Sequence, residues 1–116
     1  LISLAKAEIE KIYLSDVENR ALWVDDGWKY LSGGIRGILL YRKNEKEYLA
    51  FERNCTWQSK DSCAVIEADS SSLYMICRCC GSRFKWDGSV LKQPATMYLK
   101  QYATELNTNN VLLIYN

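Results

Sequence analysis

Short bursts of strand-forming residues, broken at close intervals by turn chemistry, constrain this chain more than any other feature. Apolar and polar residues alternate over residues 21–24, 37–41, 48–51, 73–77, 83–86, 97–102 and 111–115, the period of a half-buried strand. Between these bursts lie Asp-Asp-Gly at 25–27, Ser-Gly-Gly at 32–34, Lys-Asn-Glu at 43–45, Asp-Ser-Ser-Ser at 69–72, Asp-Gly at 87–88 and Asn-Thr-Asn-Asn at 107–110. Gly accepts positive φ, and Asp, Asn and Ser bond their own backbone, so each break reads as a turn. The expected fold is all-β, a small barrel or a sandwich of antiparallel sheets. At the amino terminus Ile2, Ala5, Ile9 and Ile12 fall at helical spacing, which allows a short helix. Ile12, Tyr13 and Leu14 prefer a pleated surface, which favours a strand over 9–14 that pairs with 111–115 and protects the sheet edge.

With 116 residues, 48% hydrophobic, and no Ser/Gly-rich linker, heptad or repeat, the expectation is one domain over residues 1–116. Fifteen Lys and Arg against 14 Asp and Glu leave a net charge of +1, so no basic excess points to nucleic acid. The longest apolar runs, 37–41 and 111–115, fall far short of the roughly 20 residues of a transmembrane helix.

The chain contains no histidine and five cysteines. Without imidazole there is no His general base, no Ser or Cys triad built on His, no His-ligated zinc and no switch near neutral pH. The thiols fall in two loops. The first carries Cys55-Thr56-Trp57 with Cys63 beyond it, and the second reads Cys77-Arg78-Cys79-Cys80-Gly81-Ser82. The second runs on through Phe84, an Asp87-Gly88 turn and the only proline, in Gln93-Pro94-Ala95.

These two loops resemble those of the Rieske domain, whose first loop reads Cys-x-His and whose second reads Cys-x-Cys-His-Gly-Ser, followed by an aromatic, an Asp-Gly turn and Gly-Pro-Ala. The resemblance spans roughly residues 32–115 and is closest over 77–95. It implies a Rieske-like sandwich of antiparallel sheets with a cysteine-loop tip over about residues 52–95. Cys55 and Cys77 stand at the family's two cysteine ligands, and Gly81-Ser82 at the pair that approaches the cluster sulfurs. Trp57 and Cys80 stand where the two histidine ligands belong. A Rieske [2Fe–2S] centre needs His₂ on one iron, and indole offers an N–H but no lone pair to a metal. The resemblance therefore implies a vestigial cluster site with no authentic Rieske centre and no cofactor. It extends to bacterial secreted or lipid-anchored Rieske-like proteins whose second loop reads Cys-Cys-Gly-Ser.

The same resemblance implies a disulfide between the loops, Cys63–Cys79, closing about 15 residues and worth roughly 3 kcal/mol by chain entropy. Five cysteines allow 15 ways of making two bonds, and a second bond is expected at Cys55–Cys80, leaving Cys77 as a buried free thiol. Cys77–Cys80 is its rival. Trp57 is expected to plug the cluster-sized vacancy. Arg78, Arg83, Lys85 and Lys92 form either a docking patch for an anionic partner or a solvated face. The eight tyrosines and four tryptophans read as core and cross-strand pairs more readily than as carbohydrate platforms.

Three functions follow. The first is a non-enzymatic, disulfide-stabilised domain with a structural role, or a protein partner, outside the cytoplasm. The second is electron transfer or metal binding, a [2Fe–2S] cluster or zinc held by thiolates from Cys55, Cys77, Cys80 and either Cys63 or Cys79. The third is thiol–disulfide exchange at Cys77-x-Cys79-Cys80, with Arg78 lowering a thiol pKa. Paired cysteines imply an oxidising compartment, and a chain opening at Leu1 leads us to expect a periplasmic or outer-surface lipoprotein anchored through a lipid upstream.

Overall fold

The computed structural model describes residues 7–116. Ten strands run in chain order: β1 (Glu8–Tyr13), β2 (Trp28–Leu31), β3 (Ile38–Asn44), β4 (Glu47–Glu52), β5 (Ile66–Ala68), β6 (Met75–Cys77), β7 (Arg83–Phe84), β8 (Val90–Lys92), β9 (Gln101–Leu106) and β10 (Val111–Tyr115). Six form one antiparallel sheet in the order β1-β10-β9-β4-β3-β2, and four form a second in the order β5-β6-β7-β8. The expected all-β architecture of antiparallel sheets is the one observed.

β3 and β4 sit at the junction of two cores because their side chains alternate between faces. Ile38, Leu40, Tyr48 and Ala50 point into a core closed by Ile12, Leu22, Tyr102, Leu112 and Ile114. Leu39, Tyr41 and Phe51 point the other way, onto Ile66, Met75 and Phe84 of the second sheet, with Cys55 and Cys77 in the same cluster. A strand buried on both faces reads as a continuous apolar run, which is what Ile38 to Tyr41 shows. β1 returns to pair with β10, Ile12 opposite Leu112, as the sequence leads one to expect. The helical alternative at the amino terminus rests partly on Ile2 and Ala5, which lie outside the described residues; Ile9 and Ile12 are in β1.

Two expected strands are corrected. Residues 21–24 belong mostly to a 3₁₀ turn over Val17–Trp23. The Asn19 amide bonds the Tyr13 carbonyl at 2.9 Å and the Trp23 indole N–H bonds the Leu14 carbonyl at 2.5 Å. These local side-chain bonds give the backbone an alternative to a ladder, and Leu22 is buried without one. Residues 97–100 are irregular, because Leu99 N–H bonds the Gly88 carbonyl and the Met97 carbonyl accepts from the Thr56 hydroxyl, so strand pairing starts only at Gln101.

Candidate thiol site

Each cysteine loop is closed at its base by backbone hydrogen bonds. In the first, Cys55 N–H bonds the Ala64 carbonyl at 2.9 Å, and turns at Gln58–Asp61 and Asp61–Ala64 fold the intervening chain. In the second, Cys77 N–H bonds the Ser82 carbonyl at 2.9 Å and Gly81 N–H bonds the Cys77 carbonyl at 2.7 Å. Gly81 lies at φ +81° with nothing within 4 Å of where a Cβ would stand, so the turn needs glycine for its backbone angle and not for space. A disulfide between Cys63 and Cys79, with Cα atoms 5.3 Å apart, staples one loop to the other.

The remaining thiols converge. The sulfurs of Cys55, Cys77 and Cys80 all lie within 4.8 Å of one another, with Cys55 and Cys77 fully buried and Cys80 half-buried. Cys55 and Cys80 are free thiols with sulfurs 3.9 Å apart, so the expected second disulfide is not formed in this structure. Ser82, also fully buried, orients the group. Its hydroxyl accepts from Ala95 N–H at 2.8 Å, which leaves its proton for the Cys80 sulfur at 3.1 Å.

Cys55 and Cys80 are not electrostatically equivalent. Burial, the largest influence, pushes Cys55 up to about 12; the Trp57 amide opposes this, and the neighbouring thiols add to it. Burial also works against ionisation of Cys80, but hydrogen bonds from the Ser82 hydroxyl and amide, joined by the other two thiols, outweigh it and hold Cys80 below the ordinary thiol value. Of these two, Cys80 is the thiol that ionises more readily.

Trp57 does not plug the site. Its side chain is 37% exposed, and what it contributes to the thiols is its backbone N–H at Cys55. Cys63 is committed to Cys79, so the set of thiols that meet has three members and the four-thiolate arrangement through Cys63 is not assembled. Arg78 pairs with Glu67 at 2.7 Å and reaches Asp69 at 3.9 Å, and Arg83 stacks over the Tyr74 ring. Arg78 is thus engaged by acids and not directed at a thiol, whereas Arg83 keeps a buried Nε without a hydrogen-bond partner.

One feature beside the site escaped sequence reasoning. Glu52, at the end of β4, is 2% exposed. One of its oxygens accepts from the Tyr102 hydroxyl at 2.6 Å and from Ile35 N–H at 2.7 Å; the other accepts from the Arg36 and Asn54 amides, each at 2.9 Å. Burial alone would raise its pKa, and these four donors reverse the sign and lower it. Glu52 thus ties the 34–36 turn and the start of the first cysteine loop to β9. The available signal was a single acid ending an apolar strand run, which looks the same as a solvated strand end.

Two cysteine loops facing each other at one end of a small sheet, stapled by a disulfide and backed by a Ser hydroxyl, are the arrangement of an iron–sulfur-type domain. The Rieske [2Fe-2S] domain family matches residues 10–103, and the chain belongs to that family. Among solved structures, the cyanobacterial plasma membrane Rieske protein PetC3 from Synechocystis PCC 6803 is similar. It shares 26% identity and a TM-score of 0.59, with 75% of this chain and 85% of that chain covered. No curated protein matches. The donor set does not fit the family's own centre. That centre needs two imidazoles, and this chain brings a partly exposed indole and a thiol to their positions.

Proposed function

We propose that the chain is a degenerate Rieske-fold domain, one that holds no Rieske [2Fe–2S] centre and serves a structural or interaction role outside the cytoplasm. The observation that carries this is the replacement of both histidine ligands, by Trp57 and Cys80, in a chain with no other histidine. In this reading residues 1–116 are one domain, residues 52–95 are its tip, and Cys63–Cys79 cross-links the two cysteine loops. The compartment is supported by that disulfide, since such bonds persist where conditions are oxidising. It is supported too by the neighbour's description as a plasma membrane protein. Among the described residues no helix is long and apolar enough to cross a membrane; the tether in this reading is a lipid anchor.

Iron and acid-labile sulfide analysis of the native protein, with electron paramagnetic resonance after reduction, tests the reading. We expect a colourless, iron-free and sulfide-free protein. Stoichiometric iron and sulfide with a Rieske-type spectrum would overturn it. Expression with the natural upstream sequence tests the address, and a wholly cytosolic product would sink that part. A second reading, metal binding through thiols, is favoured by the convergence of Cys55, Cys77 and Cys80. Thiol–disulfide exchange is not favoured, because Cys79 is already paired and Arg78 is held by Glu67.

A further inference from the structure

We propose that Cys55, Cys77 and Cys80 form a single-ion site that holds one soft, thiophilic cation in three-sulfur coordination, with Cu(I) as the occupant. The inference rests on the absence of a Rieske centre, since both would use the same sulfurs.

Size is the first argument. A metal–sulfur bond of about 2.3 Å places sulfurs around one ion roughly 4 Å apart. The Cys55–Cys80 separation is 3.9 Å, and no pair among the three exceeds 4.8 Å. A two-iron cluster spreads its four terminal ligands over two irons, so ligands of different irons stand farther apart than ligands of one. In the family pattern Cys80 replaces a ligand of the second iron, yet here its sulfur has closed onto that of Cys55.

Donor number and softness choose the ion. Thiolates select Cu(I), zinc and iron–sulfur clusters. Closed zinc sites take four ligands, and the fourth cysteine that could have supplied one, Cys63 or Cys79, is consumed by the disulfide. Cu(I) is content with three sulfurs. The donors come from two loops already closed by backbone hydrogen bonds and stapled together, so little ordering remains to be done on binding. Backbone N–H groups of Trp57 and Ser82 face the Cys55 and Cys80 sulfurs and offset their negative charge. The Ser82 hydroxyl, fixed by Ala95 N–H, orients Cys80 as a hydrogen-bonded neighbour orients a metal ligand. Half-buried Cys80 is the entry side. Binding releases the thiol protons to solvent and changes no oxidation state when copper is delivered as Cu(I).

The test uses the native, disulfide-intact chain handled without oxygen. Thiols are first counted by alkylation after denaturation, then Cu(I) is titrated in as its acetonitrile complex against a chromophoric Cu(I) chelator, with X-ray absorption on the product. Three alkylatable thiols, one Cu(I) per chain and sulfur-only coordination are expected. Cys80→Ser should abolish stoichiometric binding, and Ser82→Ala, which keeps all three thiols, should weaken it about 10- to 100-fold. Substoichiometric copper, binding unchanged in Cys80→Ser, or a single alkylatable thiol because Cys55 and Cys80 are joined would each overturn the site. Iron and sulfide measured on the same sample report separately on whether the chain lacks a Rieske centre.

Discussion

Trp57 and Glu52 show how far a side chain's neighbours decide its weight. Trp57 has a large apolar ring that is 37% exposed, so it is only partly buried, and its link to Cys55 runs through the backbone. Trp57→Ala should therefore cost about 1–3 kcal/mol in chemical denaturation, below the roughly 3–5 kcal/mol of a fully buried indole. Glu52 is the opposite case. Glu52→Gln removes the charge and turns an NH₂ toward backbone N–H groups that need an acceptor, which should cost about 1–3 kcal/mol. Tyr102→Phe, removing one donor to the same carboxylate, should fall in the range of about 1.5–3 kcal/mol.

Among the elements, the pair of cysteine loops depends on its staple and its turns. Replacing both members of Cys63–Cys79 by Ser should lower stability by about 2–4 kcal/mol, read from the urea midpoint in non-reducing buffer. A cost below about 0.5 kcal/mol would mean that the backbone bonds at Cys55 and Cys77 already hold the loops. The 32–34 turn is as demanding. Gly34 lies at φ +64°, and a Cβ there would stand 2.4 Å from a Glu52 oxygen and 2.5 Å from the Tyr102 hydroxyl. Gly34→Ala should thus destabilise more than Gly81→Ala, whose Cβ meets nothing and whose cost is backbone strain alone.

For the molecule as a whole, the buried carboxylate sets an acid limb of stability. Its folded-state pKa is depressed, so its contribution is complete above the ordinary glutamate value of 4.5 and is lost as pH falls below that toward the folded-state value. Unfolding free energy should drop between neutral pH and about pH 3, and Glu52→Gln should flatten that drop in denaturant titrations at each pH. An identical slope in the variant would place the acid sensitivity elsewhere.

Much of this was legible in the chain as written. Period-two alternation and turn residues announce an all-β fold because both depend on local backbone chemistry, and the absence of histidine shows that the two imidazole ligands of a Rieske centre are missing from these residues. Residues 21–24 have a strand-like pattern but form no strand, because the Trp23 indole bonds the Leu14 carbonyl and Asn19 just before them bonds that of Tyr13, contacts that periodicity does not record. Strands β2, β5 and β8 are short, three or four residues each, too few for alternation to stand out. Whether Trp57 faces the core or the solvent, whether Glu52 is solvated or sealed, and whether Cys55, Cys77 and Cys80 meet at the spacing of one ion were decided only by the tertiary structure. Each depends on the meeting of loops and strands far apart in the chain, as when Tyr102 reaches a carboxylate 50 residues away. Local sequence determines which groups are present, and packing of distant elements determines which of them face one another.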